Sequence, residues 1–193
     1  MYKTYISVIA TLLLVASTAA NAGPGKRPGD ASIYEIANST GIHTTLVALL
    51  DRVGLGEGGA TDVAGQFTVF APTDDAFDKL FTNLYDNLPA EAVDALLADD
   101  DFITGVLLYH VMDGRRFSNS VFNRRNMKEL ETLCAGQYLW SKSNLTIMDS
   151  NDLTPNAGIV SDGEGGLLAN ISASNGVIHV TDEVFLPGGS CDQ

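Results

Sequence analysis

The sequence predicts an α+β domain, and three observations carry that prediction. Helical periodicities gather in the first half of the chain and short strand-like runs in the second, a segregated order rather than the alternation of a parallel sheet. The stretch "FTVFAPTDDAF" (67–77) reads as a strand running directly into a helix. Near the C-terminus, Asn175-Gly176 separates two apolar-alternating runs, a strong short-range signal for a β-hairpin.

Taken in order, residues 1–22 read as an export signal rather than as part of the fold. Lys3 supplies a short basic start, residues 6–16 are mostly apolar and uncharged, and Ala20-Asn21-Ala22 offers small residues where a signal peptidase reads. That apolar core is too short to span a bilayer. Cleavage after Ala22 removes one cation and no acid, so the formal charge of −13 becomes more negative by one. Such an acidic chain repels nucleic acid and anionic membrane surfaces. No second long apolar run follows, no cysteine sits beside the cleavage point, and the tail "LPGGSCDQ" lacks the hydrophobic segment of a lipid-anchor signal. The expectation is a secreted protein, extracellular or periplasmic, with no nucleic-acid partner and no integral membrane segment after cleavage.

Residues 23–29 form a Gly/Pro linker, residues 30–187 the domain, and 188–193 a short tail. Asp30 or Ser32 caps a first helix carrying Ile33, Ile36 and Ala37. After Gly41 the pattern continues through Leu46, Val47, Leu49 and Leu50, giving two short helices, or one broken at Gly41, as a lid. "GLGEGGATDVAG" (54–65) lacks the Lys-Ser/Thr ending of a phosphate loop and reads as a connecting loop.

The joint at 67–77 raises the question of catalysis, because Asp74 and Asp75 are adjacent acids. Pro72 stops the ladder of the strand, Thr73 caps the helix, and the two acids fall in its first turn, where the helix dipole favours negative charge. Phe77, Leu80 and Phe81 then anchor the helix to a core. An acid/base pair needs carboxylates facing each other in split environments, and neighbours on one helical turn point in different directions. The structural reading is therefore preferred.

Pro89 opens a further helix bearing Ala92, Val93, Leu96 and Leu97, "ADDD" (98–101) punctuates it, and another runs from Phe102 to His110. There Ile103, Val106, Leu107 and His110 share one stripe. His110 is thus expected to be a buried histidine meeting open carbonyls at the helix end, with ligand or acid/base work as the alternative. His43 has no visible partner and is assigned to the surface or the lid. The strand-like runs are 130–133, 137–140, 145–149, 157–160, 167–174 and 177–182. A type I′ turn at Asn175-Gly176 would pair Ala173 with Ile178, Ser172 with His179, and Ile171 with Val180. It gathers Ile171, Ala173, Ile178 and Val180 on an apolar side and leaves His179 on a polar one.

The chain has no G-x-S-x-G elbow and no H-E-x-x-H, and two thiols with three scattered histidines make no metal set. No cofactor is expected. "DSNDLTPNAG" (149–158) lacks the glycine and closing glutamate of a calcium loop. Asn38, Asn144 and Asn170 head glycosylation triplets whose use depends on the host. An even cysteine count in an exported chain favours a Cys134–Cys191 disulfide, with two separate thiols as the alternative.

Three ordered segments, "FTVFAPTDDAF" (67–77), "LLYHVMDG" (107–114) and "NGVIHVTDEVFLP" (175–187), resemble the signature blocks of the fasciclin-like (FAS1) domain family. The resemblance implies a helical layer packed on a wedge or sandwich of short strands. It also implies an extracellular adhesion or matrix module rather than an enzyme. The Tyr-His element of the central block corresponds to Tyr109 and His110. With Arg115 and Arg116 in the following "DGRRFSN", these are the candidate binding residues for an extracellular protein or polysaccharide. The alternatives are a hydrolase or small-ligand protein using His110 or His179, and a matrix component with no single ligand.

Overall fold

The computed structural model describes residues 29–59, 65–122, 126–151 and 153–191. The expected export signal and nearly all of the linker lie outside them. Ser32 opens the first helix, α1 (Ile33–Thr40), through a capping box. Its hydroxyl accepts from Glu35 N–H, and the Glu35 carboxylate accepts from Ser32 N–H. Gly41, at φ 71°, ends α1 in the left-handed conformation that glycine adopts without a Cβ penalty, and α2 (Thr44–Arg52) follows. The strand β1 (Phe67–Pro72) passes through Thr73 into α3 (Asp74–Asn87). α4 (Ala90–Ala98) has Pro89 at its cap, one position earlier than expected. α5 (Asp100–Tyr109) is capped by Asp99, whose side chain accepts from Asp101 and Phe102 N–H. "ADDD" is thus the start of that helix as well as a break.

After α5 come β2 (Val111–Asp113), the single turn α6 (Ser118–Val121), β3 (Lys128–Glu131), β4 (Tyr138–Ser141), β5 (Thr146–Met148), β6 (Ala157–Gly158), β7 (Ile171–Ala173) and β8 (Gly176–Thr181). They form two four-stranded sheets, ordered β2-β1-β8-β7 and β3-β4-β5-β6. β1 and β8 are parallel; the other pairings are antiparallel.

Alternation along β1 and β8 sorts the interior into two cores. Val69, Ala71, Ile178 and Val180 face the helices and join Phe77, Leu80, Leu84, Val93, Ile103 and Leu107. Phe70 faces the second sheet, with Tyr109, Met112, Leu130, Leu139, Ile147 and Phe185. The first sheet is thereby covered on both faces: helices, sheet and sheet form three layers.

That layering corrects the expected hairpin. Ile171 pairs with Ile178, Ser172 with Val177 and Ala173 with Gly176, a register shifted by two residues. The chain turns at Ser174-Asn175, and neither Asn175 nor Gly176 has positive φ, so no type I′ turn forms. Tertiary contacts decide the turn. Asn175 Oδ1 accepts from Ile33 N–H, its carbonyl accepts from Phe67 N–H, and Ala31 O accepts from Ser174 N–H. Gly176 is required by crowding: a Cβ there would overlap the Phe67 carbonyl. A shift of two keeps the facing intact, so Ile171, Ala173, Ile178 and Val180 still share one side. The other side is not polar and open. All of β8 is buried, His179 included.

Candidate functional site

The strand-to-helix joint engages its acids in the fold. Thr73 Oγ1 accepts from Ala76 N–H at 3.3 Å, capping α3. Asp74 does more than oppose the dipole of its own helix. It accepts from Thr44 N–H (3.1 Å), Thr44 Oγ1–H (2.8 Å) and Thr45 N–H (2.7 Å), capping α2 from outside. α2 needs this because its own preceding residue, His43, makes no side-chain cap. Burial pushes the Asp74 carboxyl up, but the bonds from Thr45 and Thr44 outweigh it and hold it below the usual range. His43 is buried rather than at the surface, and burial lowers its pKa against the pull of Asp74. It occupies the N-cap position of the α2 helix that Asp74 fastens, so of the two expected places it takes the lid.

His110 is the C-cap residue of α5, directly after Tyr109. Its Nδ1–H donates to Val106 O at 2.7 Å, and Nε2 accepts from Phe185 N–H at 3.0 Å, so the ring is neutral with both nitrogens bonded. It stacks on Phe185 at 4.8 Å, and burial depresses its pKa to about 4. One imidazole therefore ties the central block to the closing block. Tyr109 is fully buried; its hydroxyl donates to Tyr138 O at 2.7 Å, and burial raises its pKa. Tyr109 and His110 thus cannot form a binding surface: the helix end that carries them is wedged between the two sheets.

Arg115 and Arg116 stand elsewhere, on a strap, residues 114–118, that crosses the first sheet. Thr68 Oγ1 donates to Gly114 O (2.7 Å) and accepts from Arg116 N–H (2.8 Å). His179 Nε2–H donates to Arg116 O at 3.0 Å. Ser118 and Asn170 exchange two bonds, Ser118 N–H to Asn170 Oδ1 and Asn170 Nδ2–H to Ser118 Oγ. The strap thus touches β1, then β8, then the lead-in to β7. Arg115 donates to Gln66 Oε1, Ala173 O and Ser174 O, fastening the hairpin tip. His179 is packed beneath the strap between Phe70 and Phe122; burial lowers its pKa, and its Nδ1 has no partner among the described residues.

Cys134 and Cys191 are joined in a disulfide. Cys134 is buried in the second core, and Cys191 Sγ lies against Gly105, where a Cβ would stand 3.1 Å from it. Sequence reasoning missed Asp149. It accepts from Leu186 N–H, Asn151 N–H and Thr154 Oγ1–H and so organises the 149–155 loop against the closing block. Burial raises its pKa. Its only advance signal is the Asp-x-Asn start of an Asx turn. Among the described residues, no group of three or more His, Cys, Asp or Glu is placed to hold a metal ion, and no helix is long and apolar enough to cross a membrane.

Residues 41–187 match the family model described as Fasciclin domain. The chain belongs to the fasciclin domain family. The match begins just after α1, which nonetheless packs Ile33 into the first core. This fasciclin domain is 35% identical to Protein sll1483 of Synechocystis over 158 residues, 81% of this chain and 73% of that one. It is 30% identical to Immunogenic protein MPB70 of Mycobacterium bovis over 64% of this chain and 51% of that one. It is 29% identical to Cell surface glycolipoprotein MPB83 of the same species over 64% and 44%. The chain therefore spans about three quarters of the first relative and about half of the mycobacterial ones. A solved FAS1 domain pair from the insect cell adhesion molecule Fasciclin I aligns at 18% identity with a TM-score of 0.43, over 72% of this chain and 40% of that one.

Proposed function

We propose that this fasciclin domain is an exported, non-catalytic module that binds an extracellular protein or polysaccharide at the cell surface or in the matrix. The observation that carries the reading is where its signature residues sit. Tyr109, His110 and His179 are buried and bonded within the fold, so these signature residues serve architecture, and the adjoining strap with exposed Arg115 and half-buried Arg116 is left for recognition. A fold that commits its histidines to the interior offers them to no substrate. The cell-surface name of MPB83 supports the same assignment of place.

The test is capture of extracellular material from the native host by immobilised protein, followed by a titration of whatever is retained. Saturable binding supports the reading. Absence of any retained protein or polymer at micromolar protein overturns it, and binding without saturation favours a purely structural matrix role. Export is checked separately by N-terminal sequencing of the extracellular protein, which should begin at Gly23; a protein found only inside the cell overturns that part.

A further inference from the structure

Five of the eleven Lys and Arg residues fall between Arg115 and Lys128, a segment with no Asp or Glu, in a chain whose formal charge is −13. Three of these five, Arg115, Arg116 and Lys128, lie among the described residues, and all three are held by neutral acceptors. Arg115 bonds Gln66 Oε1 and the carbonyls of Ala173 and Ser174, Arg116 Nε donates to Asp113 O at 3.2 Å, and Lys128 Nζ donates to Ser120 O at 2.5 Å. Two cations elsewhere in the domain, by contrast, meet carboxylates: Arg52 meets Asp100 at 2.7 Å, and Lys79 meets Glu183 at 2.9 Å. A carbonyl fixes the position of a cation without cancelling its charge. Glu129 and Glu131 follow Lys128 on β3, but alternation sends them to the opposite face of the strand.

We propose that the strap and the adjoining start of β3 form a recognition strip for an acidic polysaccharide, with Arg116 and Lys128 as positioned cations and Arg115 as the residue that fastens the strap. This rests on the binding reading above and names its partner class. The protein's overall charge selects the shape of the partner. Screening confines attraction to within about 8 Å at physiological ionic strength. A flat anionic membrane must approach the acidic domain over a broad face, whereas a flexible polymer can lie along the strip alone. Its carboxylate or sulfate groups accept from guanidinium and ammonium donors, and Phe117, 40% exposed on the strap, offers an apolar face to a sugar ring.

The experiment measures binding of the purified protein to polygalacturonate and to dextran sulfate, with neutral dextran, phosphatidylglycerol vesicles and a single-stranded polynucleotide as comparisons. Saturable binding to a polyanionic glycan, weakening as salt rises, is expected, with no retention by neutral dextran. The Arg116→Gln/Lys128→Gln double variant should bind about tenfold more weakly with an unchanged thermal midpoint. Lys79→Gln, which removes a paired cation, should leave affinity unchanged. Equal weakening by Lys79→Gln overturns the proposal, because net charge rather than the strip would then govern binding. Preference for vesicles or polynucleotide, or an unaffected double variant, overturns it as well. Capture of other extracellular material by a protein indifferent to both polyanions removes this inference alone; failure to capture anything removes the binding reading with it.

Discussion

Acidification should weaken this fold through His110, and the size of the effect follows from its surroundings. In the unfolded chain the imidazole titrates near its ordinary value of about 6.5. In the folded protein burial depresses the pKa to about 4, with the ring nitrogens bonded to Val106 O and Phe185 N–H. The folded state therefore resists a proton that the unfolded state takes up. Stability is full above pH 6.5 and is lost as pH falls from there towards 4. Between pH 7 and pH 4.5 this one group removes about 2 to 3 kcal/mol. The assay is the urea unfolding free energy across that range for the wild type and for His110→Gln. The glutamine amide can donate and accept in similar directions but does not titrate. The wild type should lose about 2 to 3 kcal/mol more than the variant over the same interval. Carboxylates titrate in both proteins and cancel in the difference. Parallel curves would refute the reasoning, since His110 would then not be the neutral buried link between α5 and Phe185.

Asp74→Ala should cost about 2 kcal/mol in unfolding free energy, because it uncaps α2 as well as shortening the acidic turn of α3. Thr73→Ala should cost about 1 kcal/mol, so the ordering of the two denaturation midpoints checks the double role of Asp74. Replacing Cys134 and Cys191 together by serine should remove about 4 kcal/mol on the loop-entropy model for a sequence separation of 57, read as the difference between oxidised wild type and variant in urea. Gly176→Ala should cost about 3 kcal/mol or more, visible as a collapsed thermal midpoint, because a Cβ meets the Phe67 backbone rather than a side chain that can move.

The α+β class, the Thr73 cap and the apolar stripe of α5 were legible because they rest on local rules of period, capping and chain stiffness. The joint at 67–77 is the clearest case: the Thr73 cap that starts the α3 helix is made to a neighbour three residues on, Ala76 N–H. What escaped were decisions made by distant segments. Asp74 caps a helix thirty residues earlier in the chain. The hairpin turns one residue before its Asn-Gly signal, because Asn175 and Gly176 answer to Ile33 and Phe67. His179 alternates as a polar position should, yet a second sheet and a strap cover that face. Tyr109 and His110 form a family signature, and their location at the meeting of two cores is a property of the assembled layers. The strand β2 directly follows a helical stripe and carries no turn residue to announce the change.

The parallel pairing of β1 with β8 places Phe67 beside Gly176 and Pro72 beside Thr181. The central ladder of the domain thus joins an early strand to the last one. A chain emerging from its N-terminal end can form its helices as they appear, but it cannot close its principal sheet until residue 181 is available. Completion is deferred to the end, and ladder contacts of such long sequence separation favour slow, concerted closure. Truncation ahead of β8 should therefore abolish the layered fold rather than shorten it, leaving both cores without their shared wall.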